Sequence, residues 1–183
     1  MNANEIIIPC RLSYSHIWEP ASVNGSDPKY SVCCLIPKTD TRTLTRINKL
    51  IEQVKQDGVS RWGGKLPKKL KLPLRDGDAE RDDENYAGQM FLNANSGLQP
   101  KVIDAHRNEV MDEEEVYSGC YANVKVSVYA FNASGNQGIG CGLVAIQKTK
   151  DGPRLAGSTG VDGFEDVDVE VDDEDDADAD YLG

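Results

Sequence analysis

The chain has 183 residues, with 31 Asp and Glu against 20 Lys and Arg and a formal net charge of -11. As a total this argues against a nucleic-acid binder, because phosphate contacts are made by Lys and Arg, and no apolar run approaches the ~18 to 20 residues of a membrane span. The distribution says otherwise: Asp162 to Gly183 hold 12 acidic residues and no basic one, which leaves the first 161 residues with 20 basic and 19 acidic.

A body of that size suits one domain of roughly 100 to 200 residues. The division expected is a folded domain over residues 1–160 and an acidic tail over 161–183. The first residues, MNANEIIIPCRL, lack the basic start and long apolar run of a secretory signal, so the protein is expected to stay in the cytoplasm. Five cysteines (Cys10, Cys33, Cys34, Cys120, Cys141) are odd in number, contain no C-x-x-C pair and sit mostly in strand-like runs; reduced, buried thiols are expected. His16 and His106 are the only histidines, too few for a His-based zinc or catalytic constellation.

In chain order, Glu5 to Tyr14 alternates apolar and polar residues with the period of a half-buried strand, and Tyr30 to Ile36 is apolar on both faces, as in a central strand. EPASVNGSDPK between them is a loop. Leu44, Ile47, Leu50, Ile51 and Val54 recur at helical spacing, with Asp40 or Thr41 as a cap and Gly58 as the stop. SRWGGKLPKKLKLPL, from Ser60 to Leu74, has two Pro, two Gly and no acid; it is a long basic loop, of the kind that is usually functional or disordered. GQMFLNA and PKVID are short strand candidates. The longest strand signal runs from Val116 to Phe131, and GIGCGLVAIQK follows it across a short turn, as in a hairpin. Short strands, many turns and one helix predict a mainly β fold, a small barrel or sandwich with a helix packed on it.

Alternation along the long strand places Val116, Cys120, Ala122, Val124, Val126, Val128 and Ala130 on a core face, and Tyr117, Tyr121, Asn123, Lys125, Ser127, Tyr129 and Phe131 on the other. Aromatic plates beside a cation suit single-stranded nucleic acid, since stacking contributes about 1 to 3 kcal/mol per base; packing under the helix or in a subunit contact suits the same pattern. From Lys29 to Arg75 there are 12 basic residues and three acidic ones, enough to neutralise several phosphates. Trp62, between Arg61 and Lys65, is expected to be an exposed aromatic in a basic clamp.

GNQGIGCG has no following Lys-Ser or Lys-Thr and misses the G-x-G-x-x-G spacing, so it is not a phosphate-binding loop. Asp76, Asp78, Glu80, Asp82, Asp83 and Glu84 form an acidic stretch without the Gly and final Glu of a calcium loop. A metal-dependent nuclease built on these carboxylates is one alternative function, and a solvated acidic loop is the plainer one. The tail is too charged and too poor in apolar residues to fold. It serves either solubility or as a tethered mimic of DNA phosphates, with Tyr181 and Leu182 as a docking handle. An acidic mimic that inhibits a host DNA-binding enzyme is the second alternative.

Four strings, PKYSVCCLIPK, WGGKLPKKLKLPLRDGDAERDD, YSGCYANVKVSVYAFN and GNQGIGCGLVAIQK, resemble a family of bacteriophage proteins long known only as a domain of unknown function and now understood as single-stranded DNA-binding proteins with an OB-fold. The resemblance covers roughly Leu12 to Phe164. It implies a non-enzymatic OB-fold barrel with one principal helix that coats single-stranded DNA in the cytoplasm of the infected bacterium, during replication or recombination. The tail is similar to the acidic tails of other phage and bacterial proteins of this kind, which compete with DNA and recruit replication proteins such as a polymerase, helicase or recombinase. Here it ends Tyr-Leu-Gly.

Joined to the residue pattern, the expected DNA contacts are Tyr14, Lys29, Arg61, Trp62, Lys65, Lys68, Lys69, Lys71, Tyr117, Tyr121, Lys125 and Tyr129. The expected partner-binding tail comprises Asp172, Asp173, Glu174, Asp175, Asp176, Tyr181 and Leu182. No cofactor, metal or membrane is expected, and the sequence does not decide between a monomer and a dimer.

Overall fold

The computed structural model describes residues 1–22, 25–133, 135–155 and Val167. Its elements are β1 (Glu5–Ala21), β2 (Lys29–Pro37), α1 (Thr41–Asp57), β3 (Leu74–Asp76), α2 (Gly77–Glu80), β4 (Gln89–Ser96), β5 (Lys101–Ile103), β6 (Tyr121–Ala133) and β7 (Asn136–Lys150). The strands pair in the order β3-β4-β2-β1-β6-β7-β5, and β4 also meets β7 where Asn95 opposes Gly142. That last pairing closes β1, β2, β4, β7 and β6 into a five-stranded barrel, the OB-fold arrangement the sequence resemblance implies.

β1 makes the closure work by pairing on both sides in turn. Residues Glu5 to Arg11 pair with β6 and Arg11 to Ala21 with β2, so Arg11 sits where the strand changes partners. Pro9 opposes Asn123 of β6 in the half that β2 does not reach, which is where a strand tolerates a residue without an N–H. The predicted strand ended at Tyr14, but a bulge between Ser13 and His16 carries β1 on to Ala21. Tyr14 occupies that bulge with φ +44°, a backbone conformation that re-aims its side chain.

Inside the barrel lie Ile6, Ile8, Cys10 and Leu12 of β1, Val32, Cys34 and Ile36 of β2, Leu92 and Ala94 of β4, the small apolar face of β6, and Ile139, Cys141, Leu143 and Ile146 of β7. All five thiols are buried and free, and burial pushes the Cys33 thiol up to about 11 and that of Cys141 to about 12. α1 covers the core with Thr43, Ile47 and Ile51, its start capped by the Asp40 carboxylate, which accepts from the Thr43 N–H at 3.2 Å. Gly58 follows the helix at a position that only glycine fits, since a Cβ there would lie 2.6 Å from that of Ala130. No helix among the described residues is long and apolar enough to cross a membrane.

The predicted long strand is shorter than its pattern suggested. β6 begins at Tyr121, because Gly119 turns the chain at φ +113° with its Cα so close to Pro153 that a Cβ would sit 2.1 Å from that carbonyl oxygen. Only glycine meets both conditions.

Candidate nucleic-acid interface

An open groove of about 460 Å³ lies on the outer surface where β4 meets β7. Its floor comes from a match between two neighbouring strands. Phe131, Tyr129 and Ser127 of β6 stand opposite Gly138, Gly140 and Gly142 of β7. A Cβ at Gly140 would be 3.0 Å from the Tyr129 ring and one at Gly138 would be 2.9 Å from the Phe131 ring, so both aromatics lie across bare backbone. Their centroids are 6.4 Å apart, and Tyr129 remains 42% exposed. Partial burial pushes its phenol above the usual tyrosine range.

The rim mixes cations and amides. Lys29 of β2, Arg75 of β3, and Asn93 and Asn95 of β4 line the groove, and Leu72, 46% exposed, faces it from the basic loop. Arg75 is partly committed, since its Nε donates to Glu80 at 2.9 Å and its guanidinium lies 5.3 Å from the Phe91 ring.

The basic loop is fastened at one end to β6, which carries the aromatics, and at the other to β7, which supplies their glycine floor. At one end the Trp62 indole N–H donates to the Phe131 carbonyl at 2.9 Å, and Asn132 Nδ2 donates to the Arg61 carbonyl. At the other, Lys71 bridges to β7: its N–H donates to Gln137 O and its carbonyl accepts from the Ile139 N–H. Between these anchors Lys65, Lys68 and Lys69 are exposed, as are Arg61 and Lys71 at the ends. Trp62 corrects the expectation of an exposed clamp aromatic. It is 6% exposed within the barrel core, because the short 3-10 turn from Val59 folds the indole inward before Gly63 reverses the chain at φ +74°. Trp62→Phe removes that hydrogen bond and part of the indole's packing in the core. It is expected to lower stability by about 1 to 3 kcal/mol in urea unfolding and to leave the DNA affinity of the folded protein within about twofold, as befits an anchor outside the contact surface.

The remaining candidates do not converge on the groove. Tyr121 and Tyr129 are eight residues apart on β6, about 26 Å along a strand. Tyr121 is flanked by Lys150 at 4.5 Å and Arg11 at 5.7 Å, at the opposite end of the strand from the groove. Tyr117 precedes β6, separated from it by the Gly119 turn; its hydroxyl donates to Asp151 at 3.0 Å and Arg154 lies 4.1 Å from its ring. Lys125 is half-buried midway along β6. Tyr14 is 41% exposed on the outer face of β1, 6.4 Å from Tyr86.

The acidic stretch is largely structural. Asp76 and Asp78 both bind the Lys38 ammonium at 2.7 Å, and its hydrogen bonds hold both carboxyls below their usual range. Glu80 is lowered by Arg75 in the same way. Asp83 accepts from the Asn85 N–H at 2.9 Å. These contacts fold α2 and the following turn over the sheet, setting Tyr86 on Cys33, Leu35 and Phe91.

A family model described as the single-stranded DNA-binding protein of Enterobacter phage Enc34 matches residues 4–178. The chain belongs to this family. Protein p50 of Acyrthosiphon pisum secondary endosymbiont phage 1 is 32% identical over 169 residues, 86% of this chain and 89% of that one. Among solved structures, the Enc34 protein in complex with single-stranded DNA superposes with a TM-score of 0.76 at 25% identity, covering 85% of this chain and 91% of its own. The T7 single-stranded DNA-binding protein gp2.5 shares the fold, with a TM-score of 0.60 at 16% identity over 89% of this chain and 98% of its own. The Enc34 family is one of binding proteins, not enzymes, so the nuclease alternative falls.

Within this Enc34-type framework several groove residues escaped the sequence. Asn93 and Asn95 alternate with buried Leu92 and Ala94, a period-two signal that places them outward. Gly138, Gly140 and Gly142 alternate in the same way and announce a strand face with no side chains. Arg75 and Leu72 carried no such signal, since their positions depend on where the basic loop lands. The tail residues Asp172, Asp173, Glu174, Asp175, Asp176, Tyr181 and Leu182 lie outside the described residues.

Proposed function

We propose that this chain coats single-stranded DNA with little sequence preference during phage replication or recombination, in the cytoplasm of the infected host. Bases stack on Tyr129 and Phe131, while Lys29, Lys65, Lys68, Lys69 and Lys71 meet phosphates. The observation that carries this is the pair of aromatics laid on a glycine floor in an open groove with a basic loop anchored beside it. The Enc34 relative captured with single-stranded DNA supports it. Stacking and backbone contacts carry little base information, so discrimination between sequences is weak.

The folded domain is residues 1–160 and the tail 161–183, which competes with DNA for the groove and recruits replication proteins. Leu155 packs on the outer face with Cys33, Leu35, Tyr86 and Phe91. From there to Asp172 is 17 residues, a reach of up to about 60 Å. The groove is within range of such a tether.

Fluorescence anisotropy with a labelled oligothymidylate, repeated over a salt series, tests the core of the proposal. Five lysine-phosphate contacts give a slope of log affinity against log salt of about -3.5. Lys68→Ala with Lys69→Ala should weaken binding to every sequence alike and flatten the slope by about 1.4. An unaltered slope would remove the basic loop from the interface.

A further inference from the structure

The outer face of β1, β2 and β4 carries a second cluster, built around a residue that the groove does not use. The Arg81 guanidinium lies 5.2 Å from the Phe91 ring, 5.3 Å from Tyr86 and 5.9 Å from Tyr14. Its immediate neighbours are acidic, yet they are engaged elsewhere or free in solvent: Glu80 binds Arg75, Asp83 caps the turn to Asn85, and Asp82 and Glu84 are exposed. Among the described residues the Arg81 side chain makes no ion pair or hydrogen bond, so an exposed planar cation rests on aromatic faces with its donors unspent. Guanidinium in that state suits the fork geometry of a phosphate.

Tyr14 stands beside it in the strained bulge of β1, and strain of this kind is retained where the surroundings hold a side chain in a useful place. The ring below is fixed, since Tyr86 Oη shares a hydrogen bond with Ser13 Oγ at 3.1 Å and donates to Cys33 Sγ at 3.5 Å. The cluster is also close to the groove. Ser13 opposes Cys33 and Cys33 opposes Asn93, so two strand spacings, about 10 Å, lead from the Tyr14 bulge to the groove rim.

We propose that Tyr14 and Arg81 form a second nucleotide subsite, in which one base stacks on the free face of Tyr14 and its phosphate is held by Arg81. A single strand then crosses the barrel from this subsite to the Tyr129 groove. The proposal rests on the single-stranded DNA-binding function given above.

The test uses the full chain and labelled oligothymidylate. Tyr14→Leu keeps the apolar bulk and removes the π-face; Arg81→Lys keeps the charge and removes the planar fork; Arg81→Ala removes both. Tyr14→Leu and Arg81→Ala are each expected to weaken binding at least fivefold, Arg81→Lys to recover only part of the loss, and Arg81→Ala to flatten the salt slope by about 0.7. If Arg81 merely clamps α2 to the sheet, its variants will melt earlier while their affinity and salt slope stay within twofold and 0.2 of the parent, which would overturn the subsite. Absence of binding by the parent protein would instead overturn the function on which it rests.

Discussion

Tyr129→Ala is expected to weaken single-stranded DNA binding by about 1 to 3 kcal/mol, a rise in Kd of roughly five- to 150-fold. The ring is exposed, lies on the backbone at Gly140, and has Asn95 and Lys29 on the groove rim beside it, so a base laid on it would keep its phosphate near a cation. Its removal uncovers glycine backbone and opens no core cavity, which should keep the melting temperature within a few degrees of the parent. Gly140→Val is the converse experiment. A branched side chain under the ring must displace it, so DNA affinity should fall although no aromatic or cation has been removed. If Tyr129→Ala binds with an unaltered Kd and an intact fold, the groove is not where bases stack.

Truncation after Gly160 is the second large effect, in the opposite direction. It removes all 12 acidic residues of the tail and leaves a body of about neutral charge. A flexible tether gives an effective concentration in the mM range. A tail segment that binds the groove with a dissociation constant of about 0.1 mM would therefore hold back DNA about tenfold, by simple competition. The truncated protein should bind single strands about tenfold more tightly at low salt, with the gain shrinking as salt screens the tail. Equal affinities at low salt would sink competition. Loss of all DNA binding on truncation would favour the acidic mimic that inhibits a host enzyme.

Much of the fold was legible because barrel and helix each impose a simple period. Ile6, Ile8, Cys10 and Leu12 alternate as a strand with one buried face must, and the α1 stripe buries Ile47 and Ile51 as its spacing requires. The proposed groove was legible in its residue types and only partly in their placement. Tyr129 and the exposed lysines follow from alternation and from composition. Trp62 does not, because whether an aromatic in a Gly- and Pro-rich loop is a clamp or an anchor depends on a long-range partner, here the Phe131 carbonyl 69 residues away. Tyr117 and Tyr121 were grouped with Tyr129 by a pattern that ignores the turn at Gly119 and the length of a strand that runs from one end of the barrel to the other. Arg81 was invisible within its acidic surroundings, since only the folding of α2 over the sheet brings it onto Tyr86 and Phe91.

The two-sided pairing of β1 also sets a schedule for synthesis. Glu5 finds its partner Ser127 about 120 residues later, which at a ribosome's pace of about 5 to 20 residues per second is a wait of roughly 6 to 24 s. During that interval the half of β1 holding Ile6 and Ile8 is a strand edge with no mate, and it carries Pro9, which lacks an N–H, and the charged Arg11, residue types that disfavour pairing with another chain. This half of β1 thus waits for β6 long after the other half has met β2, and a chain that tolerates the wait must carry its own protection against pairing with strangers.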